Sequence, residues 1–334
     1  MQFKSNNILL LDGATGSELD RAGVDVSMPL WSANAIIEAP EILKSVHIAY
    51  LEAGAEAIIT NTFRTHERSL AKAGMGDRAE ELTYKAVEIA RHARDEVNTD
   101  ALVFGSVAPL EDCYSPELSP LSKVCEQEHG QMIRNLLNGG VDLVLLETMC
   151  SAGELCAASI AAMENTDDWA LSMCLEQNST GILLDGNPIA EFIPALARAR
   201  FIGINCYPAP KLAEQVTYLR SIAPTHMPIA AYGNVGYADD EGGWVNTDAI
   251  NPNNFCAVCE RVDRIWRKHC GWMLRNCARN HRCNPRISVV NHNLCNTIYI
   301  GFVLYIHNPQ IGVPNDYFKF SQNYYPCSSN CTFT

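Results

Sequence analysis

Two carboxylic acids and one cysteine stand at the ends of short apolar runs in this chain. Asp12 closes Ile8–Asp12, Glu147 lies within Glu147-Thr148-Met149, and Cys206 follows Asn205. Other run ends read Thr60-Asn61-Thr62-Phe63, Ser106-Val107-Ala108-Pro109 and Tyr232-Gly233-Asn234. A thiol is mostly protonated at neutral pH, and its thiolate is the form that attacks or binds a metal. A lone cysteine is more commonly a buried structural thiol, so Cys206 admits both readings. Asp12 reads as a pocket acid or as the cap of the first loop. Glu147 reads as a binding acid or as half of a rim salt bridge. Asn205 and Asn234 line a pocket or satisfy loop backbone, and Phe63 shapes a pocket or fills core.

The elements that must position these groups follow from hydrophobic spacing. Seven runs are apolar on both faces: Ile8–Asp12, Ala57–Phe63, Leu102–Pro109, Leu143–Met149, Ala170–Glu176, Phe201–Tyr207 and Pro228–Asn234. Such runs suit buried parallel strands. Amphipathic stretches lie between them, at Pro40–Ala53, Ala79–Val97, Gln131–Leu137 and Ala190–Ala199. Strand and helix alternating this often specify a parallel α/β protein. No Gly-x-Gly-x-x-Gly follows the first run. Seven units fall one short of a (β/α)8 TIM barrel, in which chemistry sits at the carboxyl ends of the strands. Asp12, Glu147 and Cys206 would then converge on one rim.

The order Asp12-Gly13-Ala14-Thr15-Gly16-Ser17-Glu18-Leu19, Pro29-Leu30-Trp31-Ser32-Ala33, Ala53-Gly54-Ala55 and Thr60-Asn61-Thr62-Phe63 resembles the homocysteine S-methyltransferase family. Glu147 and Gly203-Ile204-Asn205-Cys206 extend the resemblance over roughly residues 6–255. It implies a zinc-dependent (β/α)8 barrel that methylates the sulfur of homocysteine. It implies Cys206 as a zinc ligand, Glu147 as partner of the substrate ammonium and Asp12 as a second contact to the amino acid. It also implies a homocysteine pocket shaped by Thr60 to Phe63, Thr62 and Phe63 included, and walled by Asn205 and Asn234. Zinc bound by cysteine sulfurs leaves a position where a substrate thiol can coordinate and lose its proton. The implied donor is a small methyl sulfonium such as S-methylmethionine, since 334 residues leave little room for folate or cobalamin modules. Betaine is the alternative, its quaternary ammonium resting against Trp31 or Tyr232 by cation–π contact.

The family's two remaining zinc ligands are adjacent cysteines in a Gly-Gly-Cys-Cys-Gly stretch that ends the eighth strand. No Cys-Cys occurs anywhere in this chain. Composition changes abruptly where that strand is expected, near residues 265–285. Residues 1–255 hold 35 of the 38 Asp+Glu, whereas residues 256–334 hold 9 of the 25 Lys+Arg and 8 of the 14 Cys. The codons of Trp272 and Met273 are unique, TGG and ATG. Read from their second base they give glycine and then cysteine, whichever leucine codon follows. The shifted reading of residues 269–282 accommodates Ile-Val-Gly-Gly-Cys-Cys-Gly-Thr-Ala-Pro-Glu-Thr-Ile. We therefore expect a barrel over 6–255 and an out-of-frame tail over 256–334, entered between about Asn254 and Val262. The other class of function is then a catalytically inactive, truncated barrel. Cys256-x-x-Cys259 lacks the second pair a zinc ribbon needs.

A formal net charge of −13 disfavours nucleic-acid partners, because phosphate would repel the chain. The longest apolar run, Ile298–Ile306, is far shorter than the roughly 20 residues of a spanning helix, so no membrane partner is expected. No leader is evident, and a cytoplasmic protein is expected. Its other cysteines, Cys113, Cys125, Cys150, Cys156 and Cys174 among them, then read as core or surface thiols. Expected partners are homocysteine and a methyl donor, and the oligomeric state stays open.

Overall fold

Strands form where the chain is apolar on both faces, and six of the seven runs do so. The protein is represented by a computed structural model that describes residues 9–238, 244–248, 254, 257–258 and 261–262. The strands are β1 (Ala57–Ile59), β2 (Leu102–Val107), β3 (Leu143–Met149), β4 (Trp169–Met173), β5 (Ile202–Pro208) and β6 (Ile229–Asn234). All are parallel to their neighbours. Their order in the sheet is β1-β2-β3-β4-β5-β6, the order in the chain. A doubly wound sheet reverses its strand order at a switch point; this one does not. The architecture is a truncated TIM-like barrel of six parallel strands. After β6 comes a short antiparallel ribbon, β7 (Gly236–Ala238) with β8 (Trp244–Asn246). The expected eighth strand near 265–285 lies outside the described residues, as does the tail over 256–334 apart from 257–258 and 261–262.

The first run, Ile8–Asp12, contributes one bridge, Leu11 to Ala57, rather than a full strand. The cause is local. Asp12 turns a carboxylate oxygen onto the Ile59 N–H at 2.8 Å, taking the donor that the next rung would use. The backbone then leaves the sheet at Gly13, where a Cβ would stand 2.7 Å from the Tyr50 ring.

Helices α1 (Thr15–Arg21), α2 (Asn34–Glu38) and α3 (Pro40–Glu52) precede β1. Pro40 opens α3, where its missing N–H leaves no gap in the ladder. Crossovers follow: α4 (Glu67–Ala71) and α5 (Ala79–Val97), α6 (Ser122–Gly139), α7 (Ala152–Asn165) and α8 (Ala209–Ile222). The expected helix over Gln131–Leu137 is the inner part of α6, which stops at Gly140 in the left-handed conformation, φ 87°. The expected helix over Ala190–Ala199 is not α-helical. Two 3-10 turns, Ile189–Glu191 and Ala195–Arg198, take its place. Pro194 sits between them and cannot donate to an α ladder.

Alternation along the strands builds two apolar layers. Ile58, Val103, Val144, Leu146, Leu171, Ile202 and Ile229 pack outward against the helices. Val262 is buried in the same layer. Leu11, Ala57, Phe104, Leu143, Leu145, Ala170, Phe201 and Ala230 fill the barrel interior, with the Phe104 and Phe201 rings 6.2 Å apart. The inward positions continue toward the carboxyl ends as Ser106 on β2, Glu147 on β3, Asn205 on β5, and Tyr232 and Asn234 on β6. Among the described residues, no helix is long and apolar enough to cross a membrane.

Candidate active site

The inward series ends in a cavity of about 570 Å³, walled by Asp12, Ser106, Glu147, Asn205, Cys206, Tyr232 and Asn234. Six of these stand on strands, so the sheet register fixes their relative positions. Glu147 is buried; its carboxylate accepts from the Ser106 hydroxyl and, at 3.4 Å, from the Tyr232 hydroxyl. Burial pushes its pKa up to about 7, a shift that those two hydrogen bonds only reduce. Asp12 is buried as well. One oxygen accepts from Ile59 N–H, and the other, Oδ1, has no partner. Burial raises its pKa well above the usual carboxylate range, the Ile59 bond opposes the shift, and nearby Glu147 adds to it. Neither acid forms an ion pair with a described cation. Two carboxyl groups whose ionisation burial disfavours would both ionise more readily beside an incoming ammonium.

Strand alternation alone would send Cys206 outward, one residue past inward-facing Asn205. Irregular register turns it back. β5 shifts against β6 between Asn205 and Pro208, and β3 shifts against β4 between Leu146 and Met149. At these bulges Cys206 and Thr148 take left-handed backbone, φ 50° and 62°. For β-branched Thr148 that conformation is a true outlier, costing on the order of 1–3 kcal/mol. Asn205 holds both bulges. Its Oδ1 accepts from Thr148 N–H at 2.9 Å, and its Nδ2 donates to Thr148 Oγ1 at 2.8 Å. Cys206 Sγ sits 3.6 Å from Thr148 Oγ1 and accepts from Asn205 Nδ2 at 3.5 Å. Burial pushes the Cys206 thiol up to about 11, so it is protonated at neutral pH.

Removing the tie has a defined expectation. Asn205→Ala strands the buried Thr148 N–H and removes a donor to its hydroxyl, which should lower stability by about 1–3 kcal/mol. Urea unfolding measures this, and an unchanged midpoint would show that the tie does not hold the bulge.

Aromatic residues form the outer wall. Trp31 meets Phe63 edge-on, with ring centroids 5.6 Å apart. Gly16 gives the indole its place, since a Cβ there would stand 2.4 Å from the Trp31 ring. Arg64 follows Phe63 on the wall, its guanidinium 5.4 Å from the Phe63 ring centroid. Thr62, expected to bind substrate, is fully buried behind the wall. Its hydroxyl bonds the Ser106 carbonyl and Thr60 Oγ1, each at 2.8 Å, and Thr60 takes the place on the wall. The reason is that β1 ends at Ile59, so strand alternation no longer governs Thr60 to Phe63. Asn234 is on the wall, its Nδ2 3.5 Å from the Tyr114 hydroxyl. Thr148 and Ser106, which stand in run ends but carry no assigned role, belong to the site as well, as do Tyr114 and Arg64, which no run end contains. The two positive φ values had no sequence signal, for neither residue is glycine.

Among the described residues, no group of three or more His, Cys, Asp or Glu could hold a metal ion. Cys206, the expected ligand, has its Sγ against Thr148 Oγ1 and Asn205 Nδ2, while Cys113 lines the same cavity and the Cys174 thiol donates to the Cys206 carbonyl at 3.7 Å. The described donors therefore do not by themselves make a zinc site. Cys113, Cys125, Cys150 and Cys174 are buried free thiols and Cys156 is partly buried, as expected.

A parallel βα barrel with acids and a thiol at its carboxyl rim has the layout of a barrel enzyme, whose chemistry is built on the strand ends. The profile described as Homocysteine S-methyltransferase matches residues 9–292, and the chain belongs to that family of transferase enzymes. It is 31% identical over 252 residues to the Homocysteine S-methyltransferase of Escherichia coli, covering 69% of this chain and 78% of that protein. Homocysteine S-methyltransferase YbgG of Bacillus subtilis is 29% identical over 295 residues, 81% of this chain and 90% of that one. Among solved structures, the metallated form of the homocysteine methyltransferase MmuM from Escherichia coli superposes with a TM-score of 0.64. It is 28% identical, over 70% of this chain and 85% of that one.

Proposed function

We propose that this barrel binds homocysteine and accepts a methyl group on its sulfur, giving methionine, with S-methylmethionine as donor. The observation that carries the reading is one cavity holding Asp12 and Glu147, both without a described cation partner, together with Cys206. The substrate ammonium sits between the two acids. Its charge draws both carboxyl groups into the ionised form and offsets their burial. Ser106 and Tyr232 hold Glu147 in place for that contact. Asn205 and Thr148 aim Cys206 at the cavity, toward the substrate sulfur. Trp31 and Phe63 offer aromatic surface to a methylated cation, which favours a small onium donor. In the transfer, the homocysteine sulfur forms a bond to the methyl carbon and releases its thiol proton. The donor's carbon–sulfur bond breaks, its electron pair stays on the departing sulfide, and two methionines result. Betaine would bring a quaternary ammonium to the same aromatics.

Zinc is the cofactor the family resemblance implies, with Cys206 as the ligand this chain supplies. Because the described residues do not complete a site, no step is routed through it. That incomplete set favours a second reading: a barrel over 6–255 with an out-of-frame tail over 256–334, which binds homocysteine without turning it over. One experiment separates the two. The full chain is titrated with homocysteine by calorimetry, then assayed for methionine with S-methylmethionine or betaine. Methionine formation supports transfer and names the donor. Binding without turnover supports the second reading. Absence of homocysteine binding would sink both.

A further inference from the structure

Arg64 is 6% exposed although it lies on the cavity wall. A guanidinium stays charged at any physiological pH, and a buried charge needs a partner. The partners present are few. One N–H donates to the main-chain carbonyl of Glu111 at 3.0 Å, and the cation rests over Phe63. The buried Nε has no partner. No carboxylate among the described residues pairs with Arg64. The side chain of Glu111 is committed elsewhere, one oxygen to Arg68 at 3.1 Å and the other to Lys72. A structural arginine this deeply buried would normally face an acid. Arg64 lines the same cavity as Asp12 and Glu147.

We infer that Arg64 is the carboxylate anchor of the pocket, binding the carboxylate of an amino-acid or betaine-type substrate while Asp12 and Glu147 take its ammonium. The inference rests on the proposed amino-acid substrate and adds a specificity to it. The cavity carries separate sites for the two charges of a zwitterion, and simple amines bind it poorly. The guanidinium fork matches a carboxylate in two parallel hydrogen bonds, which an ammonium or amide cannot reproduce. Homocysteine and the methyl donor both carry a carboxylate, and the experiment tells them apart.

The full chain is titrated by calorimetry with two matched pairs of ligands. The first is homocysteine and 3-aminopropane-1-thiol. The second is S-methylmethionine and (3-aminopropyl)dimethylsulfonium. Within each pair only the carboxylate differs. The parent should prefer the carboxylate form of one pair on the order of 10- to 100-fold, and that pair identifies the substrate that docks on Arg64. Arg64→Gln should abolish the preference and leave binding of the decarboxylated compound unchanged. A preference that survives in folded Arg64→Gln overturns the assignment. Should that variant not fold, Arg64→Lys carries the comparison, with partial loss expected and an unchanged preference overturning it. Binding of either decarboxylated amine by the parent supports the amine site independently of Arg64. Failure of the parent to bind any of the four compounds overturns the amino-acid reading and the anchor together.

Discussion

Returning the tail to its alternative frame raises zinc from well below one to about one atom per chain. It also raises methionine formation on the order of 100-fold or more. The reasoning starts from ligand number. A thiolate zinc site closes with several strong bonds, and apparent binding energies for structural sites reach about 10–16 kcal/mol. A single cysteine cannot approach that. Cys206 keeps its proton up to about 11, because burial disfavours the thiolate, and no group of three or more ligating side chains surrounds it among the described residues. The shifted reading supplies the adjacent cysteine pair and the eighth strand in one change. Metal analysis of the 334-residue chain and its frame-restored version, with a methionine assay on both, makes the test. Equal zinc and equal activity would refute the frame account. Near-stoichiometric zinc in the chain as it stands, lost in Cys206→Ser, would show that tail cysteines had taken over.

Glu147→Gln should stabilise the empty protein in alkaline solution while removing its affinity for homocysteine. The carboxyl titrates near 4.5 when unfolded and at about 7 when folded. Between those values the unfolded chain has released the proton and the folded chain still holds it. Raising the pH therefore favours unfolding across that window, by about 3 kcal/mol in total. Below about pH 4.5 the penalty is absent; above about pH 7 it is complete. Glutamine keeps the shape and the bond from Ser106 but carries no charge to desolvate. Parent and variant should match near pH 4.5 and diverge with rising pH, the variant becoming the more stable. Ammonium binding should move oppositely, weakening on the order of 100-fold when the buried charge is gone. Urea unfolding at pH 5 and pH 8, with calorimetry, reads both effects. A variant less stable than its parent at pH 8 would show that Glu147 is there to hold the fold.

Much of this site could be read from residue order because strand ends are marked by chemistry. Glu147 follows Leu143 and Leu145 at two-residue spacing, so once β3 is recognised its direction is settled. The same holds for Tyr232 and Asn234 after Ala230. Where the backbone leaves that period, sequence offers less. Cys206 has the wrong parity for the cavity and reaches it through a bulge and a positive φ that no local residue announces. Thr62 leaves the wall while Thr60 stays on it, because β1 stops at Ile59. Arg64 carries no mark of its place in its local sequence. Its burial depends on the Glu111 carbonyl, 47 residues away, and no local pattern encodes that. Ala190–Ala199 departs from its helical spacing for a simpler reason, since Pro194 interrupts any α ladder there.

The tie from Asn205 to Thr148 spans 57 residues of chain and passes over the end of β4. Loop closure over that distance gains no hydrogen bond until β4 and β5 have both docked. The rim at Thr148 and Cys206 is therefore set only where β3, β4 and β5 stand together, and a chain that ends before Asn205 lacks the group that holds it. The apolar layers and the site rest on different residues: Leu, Val and Ile along the strands for the one, a single asparagine of β5 for the other.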